Sequence, residues 1–436
     1  MRGGTVLVVA ALILIPTHAL AQSVQSQSEV ERRLQALEDQ VRMLQTELAA
    51  LRAGPPAPPI GQATPTQPAP AFQVPTVSAP LAAAPSGGDQ PAPTQLPVYG
   101  GQTAGRLLNP DVGMIGNFIS ATGESRGGSE AVAPTPFLTL QESEASFQAI
   151  VDPYARADFF LAIGEEGIEV EEGFVTFPTI PGGLLIKAGK FRANFGRLNA
   201  FHNHTLPWID RPLVMYNLLG GATEDPDTGI KDAGVSVSRL VPAGNLFVEA
   251  TAEIYRGDSG TLFQSSRRQD FSVVGRLRAY KDISESSNLE VGGSYARGHN
   301  DAGSDFVTSL YGTDLTFRWR PLQRAIYRSF IARSELMWSR REEPAVAHPA
   351  FGLYGSAEYQ VARRWFTGGR FDWAERARDA SIEDRGLSAV LTYWPSEFSQ
   401  VRSQYRRTRY GDRDEVANEL LFQVLFTIGA HGAHPF

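Results

Sequence analysis

Two pairs of histidines are the residues best suited to metal binding in this chain. His202 and His204 are separated by one residue, and Asp210 follows in the same segment. His431 and His434 form a second pair near the carboxy terminus. Imidazole and carboxylate groups are ligands that zinc accepts, so these residues are candidate zinc ligands. The alternative is that both pairs are ordinary loop and tail residues and that the protein has no cofactor.

Arginine side chains recur on the polar face of segments in the second half of the chain, with fewer acidic side chains between them. On the wall of a water-filled channel, such arginines would attract anions. The alternative is a wall whose arginines and carboxylates cancel in salt bridges. We predict a weak preference for anions. The candidate pore-lining residues are Arg276, Arg278, Arg318, Arg333, Arg370, Arg402, Arg406, Glu142, Asp314 and Asp372.

The composition argues against several other kinds of chemistry. The chain contains no cysteine, which excludes disulfides and thiolate metal sites. Its formal net charge of −7 comes without a basic block, so we expect no nucleic-acid partner. P-loop and H-E-x-x-H motifs are absent. We therefore expect that the protein is not an enzyme.

Short alternating segments over residues 110–436 must position these side chains. In the segment 350–361, Phe351 and Leu353 share one parity, whereas Tyr354 and Glu358 share the other. Side chains of a strand alternate between its two faces. About sixteen such segments carry charges on the polar face, which favours a membrane barrel over a soluble sandwich. The predicted fold is therefore all-β, a transmembrane antiparallel β-barrel of about sixteen strands.

Two further patterns support the barrel. Short turns are predicted at one end of the strands and longer loops at the other, including 298–305 and 341–349, as in outer-membrane barrels. Trp319, Trp338 and Trp365 fall at strand ends on the apolar parity, where an aromatic girdle meets the two membrane interfaces.

The region before the barrel has a different character. Residues 1–21 are typical of a secretory signal peptide, and no later segment has the apolar length of a membrane-spanning helix. Residues 28–52 carry a heptad repeat that predicts a parallel coiled coil; the alternative is a single amphipathic helix. Residues 54–100 hold thirteen prolines and predict a disordered linker. A short trimerisation motif is predicted at Arg33, Leu34, Leu37 and Glu38.

The long connection 195–230 contains Phe201, Leu206, Trp208 and Ile209. A loop this apolar is predicted to fold into the lumen, where it would narrow the channel.

The segment 183–192 and the stretch 207–212 resemble the corresponding strand and loop of the phosphate-selective porin O and P family. That resemblance implies a trimeric sixteen-stranded porin with an amino-terminal trimerising helix. The basic residues with which that family binds phosphate have no position-by-position match here. The segment 151–158, the His-x-His loop and the carboxy-terminal histidines also resemble outer-membrane proteins labelled zinc-regulated or TonB-dependent receptors. Receptors of that type hold a folded plug in a barrel of about 22 strands.

Together these patterns predict an outer-membrane porin for passive diffusion of small hydrophilic solutes. Its expected partners are outer-membrane lipid and two further copies of itself, with the coiled coil in the periplasm. One alternative is a TonB-dependent or metal-specific uptake receptor. The other is a structural tether between outer membrane and cell wall.

Overall fold

The computed structural model describes residues 110–124, 138–164, 167–220, 229–412 and 415–429. The predicted signal peptide, coiled coil, trimerisation motif and linker lie outside these residues, as do His431 and His434. Among the described residues, no helix is both long enough and apolar enough to cross a membrane.

Sixteen antiparallel strands form one closed barrel. Each strand pairs with its neighbours in sequence, and the first pairs with the last through residues such as Asn117 and Leu425. The predicted strand number and topology are therefore confirmed. The strands are β1 (Asp111–Glu124), β2 (Leu138–Asp152), β3 (Ala155–Gly164), β4 (Gly167–Ile180), β5 (Leu184–Arg192), β6 (Lys231–Ala243), β7 (Leu246–Tyr255), β8 (Ser272–Ser284), β9 (Ser287–Asn300), β10 (Gly303–Trp319), β11 (Phe330–Glu343), β12 (Val346–Ala362), β13 (Trp365–Arg376), β14 (Asp379–Ser396), β15 (Ser399–Tyr410) and β16 (Glu415–Gly429).

The two faces of the barrel have the polarity opposite to that of a soluble sheet. In β13, Trp365 and Phe371 are 42% and 47% exposed. On the other face of the same strand, Arg370 and Asp372 are 2% and 1% exposed. Apolar side chains thus point outward and charged side chains point into the barrel, as the alternation of the sequence predicts.

Aromatic rings cluster on the outer face near the strand ends. Trp338 and Trp373 both pack against Phe351, with ring centroids 5.1 and 5.7 Å apart. Near the opposite end, the rings of Trp365 and Tyr393 lie 4.5 Å apart. This arrangement matches the predicted girdle at both ends.

Some predicted long loops are instead tight turns. Strands β11 and β12 stay paired as far as Glu343 and Val346, so only Pro344 and Ala345 connect them. The proline suits the first turn position and Ala345 has φ of 69°, as a type II turn requires. The turn within 298–305 is equally short, because β9 and β10 pair through Asn300 and Gly303. These polar strand ends extend past the aromatic girdle, where the apolar alternation no longer marks them as strand.

If the outer face contacts hydrocarbon, an arginine at Leu315 will destabilise the barrel by about 2–4 kcal/mol. Leu315 is 40% exposed and pairs with Val291, between the two aromatic clusters. Val346→Arg at the hairpin end is the control, since it lies beyond the girdle. Urea unfolding in phospholipid vesicles measures both variants. Equal costs at the two positions would contradict a lipid-facing surface.

Candidate functional site

The connection between β5 and β6 folds into the barrel. Its backbone amides donate to side chains on three separate strands: Asn194 to Glu253 (2.9 Å), Leu198 to Glu335 (2.9 Å) and Ile209 to Gln404 (2.9 Å). These acceptors belong to β7, β11 and β15. A segment that reaches all three must cross the interior of a closed sheet. We call residues 193–220 the inward loop; its position agrees with the predicted inward fold.

Asn199 joins the two ends of this connection. Its side-chain amide donates to the carbonyls of Ala193 (2.8 Å) and Ile230 (3.0 Å). Its Oδ1 accepts from the amide of Ile230 at 2.8 Å. One fully buried side chain thus satisfies three backbone groups where the chain leaves and re-enters the wall.

Arg211 organises the middle of the inward loop. Its guanidinium donates to Asn203 Oδ1 (3.1 Å) and to the carbonyls of Leu198 (3.2 Å) and Phe201 (2.7 Å). The side chain is 1% exposed. Because Arg211 binds several loop carbonyls at once, it fixes the path of a segment that contains little regular structure.

The last part of the inward loop is a short helix, α1 (Leu213–Leu219), in which every residue is buried. It packs mainly on β12 and β13. Asn217 fastens it to the wall by donating to Asp384 Oδ2 (2.9 Å) and to the carbonyl of Ala374 (3.1 Å). Apolar loop side chains therefore replace water over this part of the barrel wall.

Asp210 holds the inward loop to β13 and β15. Its carboxylate lies 2.9 Å from Arg370 and 3.1 Å from Arg406, and it accepts from Gln404 at 2.7 Å. Burial alone would raise the pKa of Asp210, but Arg370 and Arg406 lower it to about 2. The ring of Trp208 lies 4.9 Å from the Arg370 guanidinium, so apolar and charged contacts anchor the same point.

Most of the arginines predicted to line the pore are buried in contacts with carboxylates or loop carbonyls. Arg276 pairs with Asp314 at 3.0 Å and also donates to the carbonyl of Gly196. Arg402 donates to the carbonyls of Leu206 and Trp208 at 2.8 and 3.2 Å. Arg370 lies 2.7 Å from Asp372, and Arg406 lies 2.6 Å from Glu419. Arg333 and Glu142 are also buried, with 8% and 9% of their surface exposed. Their pore-lining role stays a prediction.

Three arginines surround Glu290 on β9. Its oxygens lie 2.9 Å from Arg197, 3.4 Å from Arg318 and 3.7 Å from Arg278. Arg278 also contacts Glu249. The side chains of Arg278 and Arg318 are 13% and 16% exposed, more than those of Arg276, Arg370 or Arg406. This cluster therefore brings three arginines and two glutamates together on one part of the inner wall.

Negatively charged carboxylates cluster where the inward loop contacts β2 and β4. His202 Nδ1 lies 2.6 Å from Glu144 Oε2 and 3.3 Å from Glu171 Oε2, and His204 Nδ1 lies 3.6 Å from Glu144 Oε2. Burial opposes the charged form of His202, but Glu171 and Glu144 outweigh it and raise the pKa of the imidazole well above its usual range. The structure thus brings His202 and His204 together, as predicted, but places Asp210 with arginines.

Several residues of this site could not be predicted from the sequence. Glu144, Glu171, Asn199 and Arg211 are not among the candidate residues that the sequence indicates. The only indication of their importance is a general one: a polar side chain in a buried position needs hydrogen-bond partners. Some of those partners are distant in sequence: Glu144 and His202 are 58 residues apart, and Asn199 and Ile230 are 31 apart.

Known proteins resemble this chain both in sequence and in fold. No family model matches the chain. An uncharacterized protein of Aquifex aeolicus (strain VF5) is 30% identical over 343 residues, which cover 69% of this chain and 70% of the relative. The chain belongs to the family of that Aquifex protein.

Solved structures resemble the barrel at much lower identity. The anion-selective porin from Comamonas acidovorans has a TM-score of 0.50 and 9% identity, over 73% of this chain and 99% of that one. The outer membrane channel DcaP of Acinetobacter baumannii has a TM-score of 0.47 and 10% identity, over 73% and 96%. At such identities the likeness to the Comamonas porin establishes the fold alone.

The pKa of Asp210 predicts an acid-resistant anchor. Because folding lowers this pKa from 3.8 to about 2, the carboxylate stabilises the anchor fully above pH 3.8. That stabilisation is lost as the pH falls through about 2. Iodide quenching of Trp208, in a variant whose other five tryptophans are phenylalanine, should stay low at pH 4 and rise toward pH 2. Asp210→Asn should remove this acid step. A step near pH 4 in the parent would contradict the prediction.

Proposed function

We propose that this protein is an outer-membrane porin that conducts small hydrophilic solutes past a constriction made by the inward loop. The observation that carries the proposal is the pairing of an apolar outer face with a charged interior in a closed sixteen-stranded barrel. In a closed barrel, neighbouring strands satisfy the backbone hydrogen-bonding groups, which hydrocarbon cannot do. Barrels of this size also enclose a water-filled lumen.

The inward loop supports a narrow passage. Its residues contact β7, β11 and β15 through hydrogen bonds and β12 and β13 through α1. Trp208 packs edge-on against Tyr354 of the wall at 5.5 Å. Because the loop crosses the interior, we infer that any path for solute runs beside it and admits only small molecules.

The charges beside the loop support a weak preference for anions. The cluster around Glu290 contains Arg197, Arg278 and Arg318, and the side chains of Arg278 and Arg318 are partly exposed at 13% and 16%. On the other side, Glu144 and Glu171 face His202. A solute crossing here would pass through the fields of charges of both signs, which reduces the net selectivity.

The assembly and location follow from the same proposal. We infer that the apolar outer face contacts outer-membrane lipid and that three chains associate through the coiled coil at 28–52. That helix would lie in the periplasm, where attachment to the cell wall is an additional role. The absence of enzymatic activity stays a prediction.

A substrate-specific uptake channel is the second candidate, and the density of loop contacts favours it. A loop held by Asn217, Asp210 and Asn199 would have to move before a larger solute could pass. The two candidates differ in whether the purified protein conducts ions without a ligand or partner.

Asp210→Asn should loosen the constriction. The change leaves Arg370 and Arg406 without their shared carboxylate, and breaking a buried pair costs on the order of 3 kcal/mol. In planar bilayers we expect a larger single-channel conductance with more frequent current fluctuations. Asp305→Asn, at an aspartate whose side chain is 87% exposed, is the matched control. A parent that never conducts, with a variant that does, would favour the uptake channel over the open porin.

The arginine cluster predicts the sign of the selectivity. In a potassium chloride gradient, the reversal potential of the parent should indicate a modest preference for chloride. The double variant Arg278→Gln and Arg318→Gln should shift it toward potassium, because two positive charges leave the partly exposed cluster. Arg363→Gln, in an exposed turn between β12 and β13, should leave the potential unchanged. A cation-selective parent would contradict the predicted sign.

A further inference from the structure

The geometry points to a divalent transition-metal site, of the zinc class, formed by Glu144, His202 and His204 with Glu171 as a fourth ligand. The site differs from the one that sequence spacing predicts, because Asp210 and the carboxy-terminal histidines are not part of it. It ties the inward loop to two strands of the wall.

The donor atoms lie close enough together for one metal ion to bind them. Glu144, His202 and His204 each offer a ligand atom, and these atoms all lie within 4.8 Å of one another. His204 Nδ1 is 3.6 Å from Glu144 Oε2, and His202 Nδ1 is 3.3 Å from Glu171 Oε2. Zinc bonds of about 2.0–2.2 Å in a tetrahedron place neighbouring donors roughly 3.3–3.6 Å apart. The contact of His202 with Glu144, at 2.6 Å, must lengthen when a metal replaces the hydrogen bond.

The concentration of carboxylates in the cluster also suits a divalent cation. Carboxylate oxygens of Glu142, Glu144 and Glu171 lie within 4.8 Å of one another. The guanidinium of Arg192 neutralises Glu171 from the far side, through Oε1 at 2.8 Å. The side chains of Glu144 and Glu171 are both only 3% exposed. Buried carboxylates are costly unless they are paired, and a divalent ion offsets that cost more fully than one imidazolium.

Glu172 adds to the same negative environment. Its Oε1 accepts from the backbone amide of Arg192 at 3.0 Å and lies 3.6 Å from His202 Nε2. The outer nitrogen of His202 therefore faces a carboxylate, the arrangement that orients many metal-bound histidines.

The ligands are held in place before any metal arrives. Glu144 lies on β2 and Glu171 on β4, while His204 lies in the short 3₁₀ helix Asn203–Thr205. Arg211 fixes that helix through Asn203 Oδ1 and the carbonyl of Phe201. A site built from a rigid wall and a braced loop loses little entropy on binding. If the protein is a channel, as proposed above, a bound ion would lock the constriction in place.

Zinc titration of the full chain tests the site. The chain is purified in detergent, stripped of metal, and carries His431→Gln and His434→Gln so that the tail cannot bind. Isothermal titration calorimetry should show one zinc ion bound per chain. His204→Gln and Glu144→Gln should each weaken binding at least about 10-fold. His299→Gln is the control, because His299 also lies beside a carboxylate, 3.7 Å from Asp270.

Several outcomes would overturn the proposal: no zinc binding, binding that disappears with the tail histidines, or equal affinity in the His204→Gln and His299→Gln proteins. Cobalt substitution gives a second measurement, since its visible absorption distinguishes a tetrahedral site with imidazole ligands from loosely held hydrated ion. Heat-dependent migration in gel electrophoresis verifies that each variant is a folded barrel. Binding is measured without current, so the metal site and the channel can fail independently.

Discussion

Closure of the sheet between β1 and β16 is the constraint on which the rest of the structure depends. In hydrocarbon, an unpaired backbone group costs several kcal/mol, so a spanning sheet cannot leave an edge open. Pairing of residues 113–124 with 418–429 removes that edge. Closure also separates two surfaces with opposite requirements: the outer face must be apolar, and the inner face must satisfy every charge that it carries.

The interior meets that requirement with its own chain. The inward loop brings a carboxylate to Arg370 and Arg406, backbone carbonyls to Arg276 and Arg402, and backbone amides to Glu253 and Glu335. Loop and wall therefore stabilise each other. A charged wall without the loop would hold the same groups in water, and a loop without the wall would lack partners for its buried amides.

The residual charges on the interior are unevenly distributed. Glutamates of β2 and β4 face the two histidines, whereas arginines of β8 and β10 surround Glu290. The inward loop passes between these regions and contacts both, through His202 and through Arg197. The same segment thus completes both polar clusters, which links the proposed constriction to the proposed metal site.

The sequence by itself determined the barrel. Alternation of apolar and polar residues, with interfacial tryptophans, gave sixteen strands with correct faces, because side-chain parity is a local property of an extended chain. The strand ends at Glu343 and Asn300 were not predicted, because neither face of a strand is apolar beyond the aromatic girdle. Only the tertiary structure decided which charges meet. Asp210 lies eight residues after His202 yet pairs with Arg406, 196 residues away, while His202 pairs with Glu144, 58 residues before it. Spacing in the sequence shows only which residues are near one another along the chain. The closed barrel and the path of the inward loop across it determine which distant charged groups are buried together.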